Sequence, residues 1–515
     1  MVKRETQAQT QSDEWQQHHT HPTQQHSRQD QSPVRVGLLG LGTVGIGVYE
    51  TIQSHQDNIA RQIGRSVDVV KILVRDQHKD RGHDVPATLL TTEISDVWDQ
   101  NLDVLIECIG GIETAYLYIK EAFSRGIHVV TANKALLAEK GEELVYLANQ
   151  RGVQFYYEAS VAGAIPILQH VRQLNRVNNV QSFHGILNGT CNYILHQMEE
   201  KQLSYETALR EAQDLGFAEA DPTSDVEGYD ALYKSFILSQ LCYGEAPSLH
   251  TIERTGISTV SDKALQLARQ LGYGIRLVST SKRTHTGIDV KVGPVLIHQD
   301  HPLYAVKNEV NGVQLDTDIA GPLLFTGKGA GRFPTASAII EDLAYLLQQP
   351  DTDQPLWRVS PDQLREEGTH YVSFLLIEGQ QDTLTLSFDV LQRFDQKGIN
   401  LLQFETYPAT DERNGHQEGE ATITAEKGSA GKGPTGKALT GKGLTKSKRQ
   451  QIDSTAAIGL IVEDLPPQLI TELEDSGYTI RHYPILTEGQ EGEQVALSYP
   501  LNLQQWLQQY QHGTA

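Results

Sequence analysis

Residues 36–45 read Val-Gly-Leu-Leu-Gly-Leu-Gly-Thr-Val-Gly, an apolar run that passes directly into a glycine-spaced turn. The run at 36–39 has the character of a buried strand, and residues 44–63 behind it read as a helix. Strand, glycine turn and helix in that order form the fingerprint of a dinucleotide-binding unit. Each glycine meets a separate demand. Gly40 permits the tight turn, Gly42 lets the backbone approach a pyrophosphate, and Gly45 lets the helix lie close to the strand with its N-terminus facing the phosphates. A cofactor-free α/β turn has the same glycines, so the rest of the chain must decide between the two.

From residue 34 the chain alternates. Strands are predicted at 69–74, 104–108, 128–131 and 153–157, with helices at 115–125 and 139–150 between them. Repeated βα units predict a Rossmann-type, doubly wound parallel sheet over 34–164, with ligands at the carboxyl ends of its strands. Residues 165–322 have another rhythm. Helices at 165–174, 204–215, 230–241 and 262–271 mix with strands at 181–187, 289–297 and 312–315, predicting an α+β substrate-binding domain. A helix at 335–347 is expected to pack back on the nucleotide domain. Within 370–515, strands at 370–377, 400–406, 456–462 and 479–483 and helices at 384–395 and 466–475 fall in the β-α-β-β-α-β order of a ferredoxin-like fold. Residues 1–33, rich in Gln, His and Ser, and the Gly- and Lys-rich stretch 409–453 have little to bury, and are expected to be a disordered tail and a flexible insertion.

Composition narrows the function. A net charge of −22 argues against nucleic acid and anionic membrane as partners. The three cysteines, Cys108, Cys191 and Cys242, lack C-x-x-C spacing, so neither a zinc site nor a disulfide framework is expected, and the pattern suits a reducing cytoplasm. No apolar stretch reaches the length of a membrane span, and residues 1–33 lack the apolar core of a signal peptide.

Four segments carry candidate chemistry. Thr131-Ala-Asn-Lys134 closes a strand at the carboxyl edge of the sheet, where a lysine can hold a carboxylate or join a proton relay; a surface loop lysine is the plain alternative. The segment from Phe217 to Lys234 is dense in carboxylates. Asp230 and Lys234, at i and i+4, share one helical face, while Glu219 and Asp225 are placed to receive a substrate ammonium group. Lysine holds its proton near neutral pH and neighbouring carboxylates favour that form, which suits Lys234 to protonate a carbonyl oxygen as hydride arrives. Glu158-Ala-Ser-Val-Ala-Gly-Ala-Ile165 offers oxygen donors for a hard cation, but by its chemistry alone an ordinary domain-crossing loop is the favoured reading. Gly327-Lys-Gly-Ala-Gly331 is either a close backbone approach to a ligand or a plain turn.

Taken in order, Gly40-Leu-Gly-Thr-Val-Gly45, Thr131-Ala-Asn-Lys134, Glu158-Ala-Ser-Val-Ala-Gly-Ala-Ile-Pro166, Leu187-Asn-Gly-Thr-Cys-Asn-Tyr193, Gly216-Phe-Ala-Glu-Ala-Asp-Pro222, Asp225 to Lys234 and Gly321 to Gly331 resemble the monofunctional bacterial homoserine dehydrogenases over roughly residues 34–350. The resemblance implies NAD(P)-dependent interconversion of L-homoserine and L-aspartate 4-semialdehyde, on the route to threonine, methionine and isoleucine. Lys234 matches the family's proton-transfer lysine, with Asp230 beside it in the site. Lys134 matches the lysine at the junction of cofactor and substrate, and Glu219 a substrate-binding carboxylate. Thr43, Val44 and Gly331 match cofactor-contacting positions. Glu158, Val161, Gly163 and Ile165 match a monovalent-cation loop, normally holding sodium, which decides that loop's reading. Arg75 precedes Asp76 after the second strand, so NADP is expected ahead of NAD. The C-terminal region resembles an ACT domain, which implies an amino-acid effector such as threonine, although the usual glycine between first strand and first helix is missing apart from Gly379. A homo-oligomer is expected. Two rivals remain at this point: an acylating semialdehyde dehydrogenase with Cys191 as nucleophile, and a non-catalytic nucleotide sensor.

Overall fold

The structure, a computed structural model, describes residues 32–81, 84–285, 287–348, 357, 359–360, 372–407 and 455–486. The insertion expected at 409–453, and all but the last two residues of the expected tail, lie outside them.

Apolar runs buried on both faces pair in parallel. They form strands β1 (Val34–Leu39), β2 (Val67–Leu73), β3 (Leu90–Thr91), β4 (Val104–Glu107), β5 (His128–Thr131) and β6 (Phe155–Tyr156). Their order is β3-β2-β1-β4-β5-β6, and every pairing is parallel. The strand order reverses between β1 and β4, which opens a crevice at their carboxyl ends, where such sheets bind ligands. The single helix predicted at 44–63 is two, Thr43–Ser54 and Gln56–Ile63, meeting at His55. At that joint the Ser54 hydroxyl donates back to Glu50 O (2.7 Å) and also meets His55 Nδ1 (2.9 Å), a local competition with the helical backbone pattern.

The second sheet is mixed. It contains β7 (Val180–Ile186), β9 (Glu253–Arg254), β10 (Tyr273–Thr284), β11 (Gly287–His298), β12 (Val310–Thr317) and β13 (Gly321–Lys328), in the order β13-β12-β7-β10-β11-β9. A short parallel pair joins β8 (Ala246–Pro247) to β14 (Val359–Ser360). The hairpin β12–β13 pairs as far as Lys328, so this sheet runs past the expected edge at 322. The periodicity reading missed β13, and it also missed β10 and the helix Gly189–Lys201. The last two bury polar groups: Arg276, Ser279 and Ser281 on the strand, and Asn192, His196, Gln197 and Glu199 on the helix. Arg276 donates to Glu199 Oε2 at 2.5 Å, so each supplies the other's partner across long sequence separation.

After β13 the chain returns to the first sheet. The helix Arg332–Gln348 lies on the helix Thr43–Ser54, where a Cβ at Gly47 would stand 2.7 Å from Arg332 O. Ala336, Ile339 and Leu343 share one core with Val36, Leu38, Val48 and Ile52.

The third sheet, β15 (Val372–Gly379), β16 (Leu401–Tyr407), β17 (Ala456–Glu463) and β18 (Thr479–Pro484), is antiparallel in the order β16-β17-β15-β18. That is the ferredoxin-like arrangement, with helices Thr383–Lys397 and Pro467–Asp475 covering one face. The other face, with Phe374, Leu376, Ala457, Ile461 and Tyr483, packs into the core that holds Ala264, Leu267 and Ala268 of the helix Asp262–Gln270. A buried ion pair, Lys263 to Glu378 at 3.0 Å, marks this contact. Among the described residues no helix is long and apolar enough to cross a membrane.

Candidate active site

The glycine turn at the end of β1 forms one wall of the crevice. Gly40 has φ +94, and a Cβ there would stand 2.7 Å from Cys108 O. A Cβ at Gly45 would stand 2.1 Å from Gly40 O, so the helix Thr43–Ser54 sits on the strand only because both residues lack side chains. At Gly42, by contrast, a Cβ would meet nothing within 4 Å. Open space at a helix N-terminus, with backbone N–H groups and the positive end of the dipole facing it, fits a dinucleotide pyrophosphate. Thr43 and Val44 begin that helix. Gly331, with φ +115, enters the helix packed against it. Arg75 is exposed just beyond β2. The neighbouring Asp76 carboxylate instead accepts from His78 N at 2.8 Å, closing its own turn.

The carboxyl ends of β4 and β5 are tied together by a residue that sequence reading missed. Buried Glu107 accepts from Ile109 N (2.8 Å), Gly110 N (3.2 Å) and Thr131 Oγ1 (2.5 Å). Burial pushes its carboxyl up, against the pull of those hydrogen bonds. Thr131 Oγ1 in turn accepts from Asn133 N (3.0 Å), and Asn133 caps the next helix by accepting from Leu136 N (3.1 Å). Lys134 is the first residue of that helix, Lys134–Arg151, and is thereby aimed across the crevice.

It meets the helix Tyr229–Tyr243, which is framed by left-handed glycines, Gly228 (φ 81) and Gly244 (φ 75), and buried on nearly every side. Lys134 Nζ lies 3.0 Å from Asp230 Oδ1, and Lys234 Nζ lies 2.7 Å from Asp230 Oδ2. Lys234 Nζ also donates to Leu187 O at 2.8 Å. Burial would raise Asp230, but the charges of Lys234 and Lys134 outweigh it and hold the carboxyl well below the usual range. A carboxyl held low in the folded state stabilises the fold above about pH 4, and that contribution is lost as acid titrates the carboxylate. The Asp230 charge in turn raises Lys134, against desolvation, with smaller help from Asp225 and Glu219. Asp225 is half-buried and pushed up by burial and by Asp230. Glu219 is exposed, near enough for Lys134 to feel its charge. The structure thus gathers Lys134, Asp225, Asp230 and Lys234 on one locus, with Glu219 at its rim.

The loop after β6 supplies a neighbouring wall. Both carboxylate oxygens of Glu158 are hydrogen-bonded: Oε1 accepts from Leu168 N (2.8 Å) and Oε2 from Gln169 N (2.7 Å), at the start of the helix Ile167–Leu174. Burial raises Glu158, and the nearby Asp342 raises it further. The backbone oxygens of Glu158, Val161, Gly163 and Ile165 belong to the same loop, where Glu158 O also accepts from Val161 N (3.3 Å) and Ile165 O from Ile167 N (2.7 Å). Ala162 (φ 57) and Gly163 (φ 54) are both left-handed, and a Cβ at Gly163 would stand 2.5 Å from the Gly329 backbone. The loop is therefore pressed onto the Gly327–Gly331 turn, with Ala164 N donating to Lys328 O at 3.0 Å. Among the described residues no group of His, Cys, Asp and Glu side chains is arranged to hold a metal, and a carbonyl donor set suits a hard monovalent ion.

Cys191 is buried, and its Sγ donates to Asp225 O at 3.1 Å. Burial, then the charges of Asp225 and Asp230, push the thiol well above its ordinary value. A nucleophilic cysteine requires a thiolate, so the acylating route loses its reactive group. Cys191→Ala is expected to keep kcat within about twofold, as for a small buried hydrophobe; steady-state assay checks it.

Comparison with known proteins identifies the family. Residues 40–158 match the family model "Homoserine dehydrogenase, NAD binding domain", and residues 166–344 match the model "Homoserine dehydrogenase". The homoserine dehydrogenase of Bacillus subtilis (strain 168) is 45% identical over 316 residues, covering 61% of this chain and 73% of that protein. This chain belongs to the homoserine dehydrogenase family. Solved structures extend the likeness. The homoserine dehydrogenase of Thiobacillus denitrificans superposes with a TM-score of 0.72 at 29% identity, covering 89% of this chain and 99% of that one. A hyperthermophilic archaeal homoserine dehydrogenase in complex with NADPH gives 0.53 at 26% identity, covering 62% and 99%. The chain is thus an NAD(P)-dependent oxidoreductase of the homoserine dehydrogenase type, and the readings as acylating enzyme or sensor are not favoured.

Proposed function

We propose that this homoserine dehydrogenase interconverts L-homoserine and L-aspartate 4-semialdehyde with Lys234 as the proton donor in the reductive direction. One observation carries the assignment. Lys234 Nζ has three N–H donors and spends two, on Asp230 Oδ2 and Leu187 O. The third is left for the carbonyl oxygen of a substrate held beside the crevice. Asp230 fixes the position of that ammonium and of Lys134, and Asp225 and Glu219 take the substrate's amino group. Gly40, Gly42, Thr43, Val44, Gly45, Lys134 and Gly331 hold the nucleotide, which supplies the hydride when bound. The exposed Arg75, beside an aspartate already used by its own turn, favours the extra phosphate of NADP. The carbonyls of Glu158, Val161, Gly163 and Ile165 take a monovalent cation, of which sodium is the natural candidate.

In this reading residues 34–164 with helix 335–347 bind the cofactor, and residues from 165 to the end of β13 bind substrate. Residues 370–515 form an ACT-like regulatory unit that receives an amino acid such as threonine, and the assembly is a homo-oligomer. Spectrophotometric assay of homoserine oxidation with NADP and with NAD, repeated with threonine, tests reaction, cofactor and effector together. Arg75→Ala is expected to raise KM for NADP by about tenfold, on the order of one charged hydrogen bond, and to leave KM for NAD nearly unchanged. Equal changes for both cofactors would remove Arg75 from phosphate recognition.

A further inference from the structure

We propose that Asn188 is a positioning residue for this reaction, its single amide holding the ammonium-binding carboxylate of Asp225 and the lysine-orienting carboxylate of Asp230 in one arrangement. The inference rests on the roles proposed for Asp225 and Lys234. Asn188 follows β7 and is the N-cap of the helix Gly189–Lys201, where its Oδ1 accepts from Cys191 N at 2.8 Å. That bond decides which way the amide faces, and the NH2 group is turned toward the acids. Nδ2 donates to Asp225 Oδ1 at 2.7 Å and to Asp230 Oδ2 at 2.9 Å. The second of these is the oxygen that also takes Lys234 Nζ at 2.7 Å.

Asn188 is 3% exposed, so water does not compete for these bonds. Asp225 lies on the short helix Thr223–Val226 and Asp230 on the helix Tyr229–Tyr243, two elements that meet at Gly228. Two carboxylates sharing one nitrogen repel each other, and burial adds to that cost. The amide is the neutral donor that reaches both. Without it, Asp225 turns away or takes up a proton, and a neutral acid is a poor partner for an ammonium group. Asp230 would also lose one of the three donors that set its plane, and with it the aim of Lys234. Substrate grip and proton delivery therefore share one support.

The test is a kinetic cycle in the reductive direction, with Asn188→Ser, Asn188→Asp, Asp225→Asn and the double variant Asn188→Ser with Asp225→Asn. Serine keeps an N-cap but cannot bridge the two acids. Aspartate keeps both cap and volume, and replaces the donor by a third carboxylate; it carries the test should the serine variant fail to fold. Asn188→Ser is expected to raise KM for aspartate semialdehyde by about tenfold, with KM for NADPH within about twofold, and to lower kcat. Asn188→Asp is expected to move the acid limb of the kcat/KM pH profile to higher pH. The double variant should bind the semialdehyde no worse than Asp225→Asn alone, because the two residues act through one contact.

Equal changes in both KM values, or single effects that multiply in the double variant, would reduce Asn188 to a helix cap and overturn the proposal. An Asp225→Asn enzyme with unchanged semialdehyde KM sinks it differently. That result shows the reading of Asp225 to be at fault, and the Asn188 proposal falls with it.

Discussion

Lys234→Met is expected to lower kcat for aspartate semialdehyde reduction by about 10²–10⁴-fold, the range that a positioned general acid supplies, while KM for NADPH stays within about twofold. The large effect follows from how few alternatives the site has. Lys234 is 8% exposed, so bulk water has little access to replace its proton. Lys134, the other ammonium in the locus, is held on the far oxygen of Asp230 at 3.0 Å and is anchored to the nucleotide-binding sheet. Lys234→Arg separates charge from proton transfer. Guanidinium keeps the charge for Asp230, but its planar fork does not match the geometry of an ammonium and it does not give up its proton. It is expected to lose turnover nearly as completely while retaining more stability than the methionine variant. The pair of measurements is kcat against melting temperature. Near-normal reductive turnover in Lys234→Arg would take this residue out of the proton-transfer step.

Gly45→Ala is the second large effect, and it acts on the cofactor. The added methyl would stand 2.1 Å from Gly40 O and 3.0 Å from Gly40 C, both backbone atoms of the glycine turn. No rotamer change relieves a clash between Cβ and a main-chain oxygen, so the helix Thr43–Ser54 must move off β1. That shift carries the helix N-terminus away from the pyrophosphate position and disturbs the close packing of the helix Arg332–Gln348 at Gly47. Overpacking of this kind costs on the order of 1–3 kcal/mol. Because the turn itself is displaced, KM for NADPH is expected to rise by at least about tenfold, equivalent to ~1.4 kcal/mol of binding. Gly42→Ala is the informative control, since its methyl would project into open space. It should fold as well as the parent and lose affinity only where a dinucleotide fills that space. Titration of cofactor fluorescence with a parallel thermal melt distinguishes the two. Gly45→Ala with parental stability and parental affinity would mean that strand and helix are not closely apposed in solution.

Much of the architecture was legible locally. The βα alternation up to residue 157 and the six elements of the third sheet arise from buried apolar runs and helical stripes, whose period is a property of the chain itself. The glycine turn was equally readable, because backbone conformation and lack of a side chain are written at single positions. Lys234 and Asp230 needed only the i, i+4 rule. Besides the half-exposed strand Gly321–Lys328, what failed to show were elements with polar interiors. The strand Tyr273–Thr284 and the helix Gly189–Lys201 have no clean apolar stripe, since Arg276 and Glu199 are buried as each other's partners. Glu107 gave little signal, standing as one acid at the end of an apolar strand. Only a terminal acid on a switch-point strand, followed by glycines at 110 and 111, hints at a carboxylate folded back on its own loop.

The sequence by itself determined most of the segments that become strands and helices, where the nucleotide turn falls, and that an ammonium and a carboxylate share one helical face. Each depends on neighbours a few residues apart. Tertiary structure alone decided that Lys134 reaches the far oxygen of Asp230, that the Glu158 carboxylate is consumed in starting a helix, and that one buried amide at Asn188 spans two acids. Those contacts join residues from different layers. Their strength comes from desolvation and close separation, and neither exists until the layers have packed.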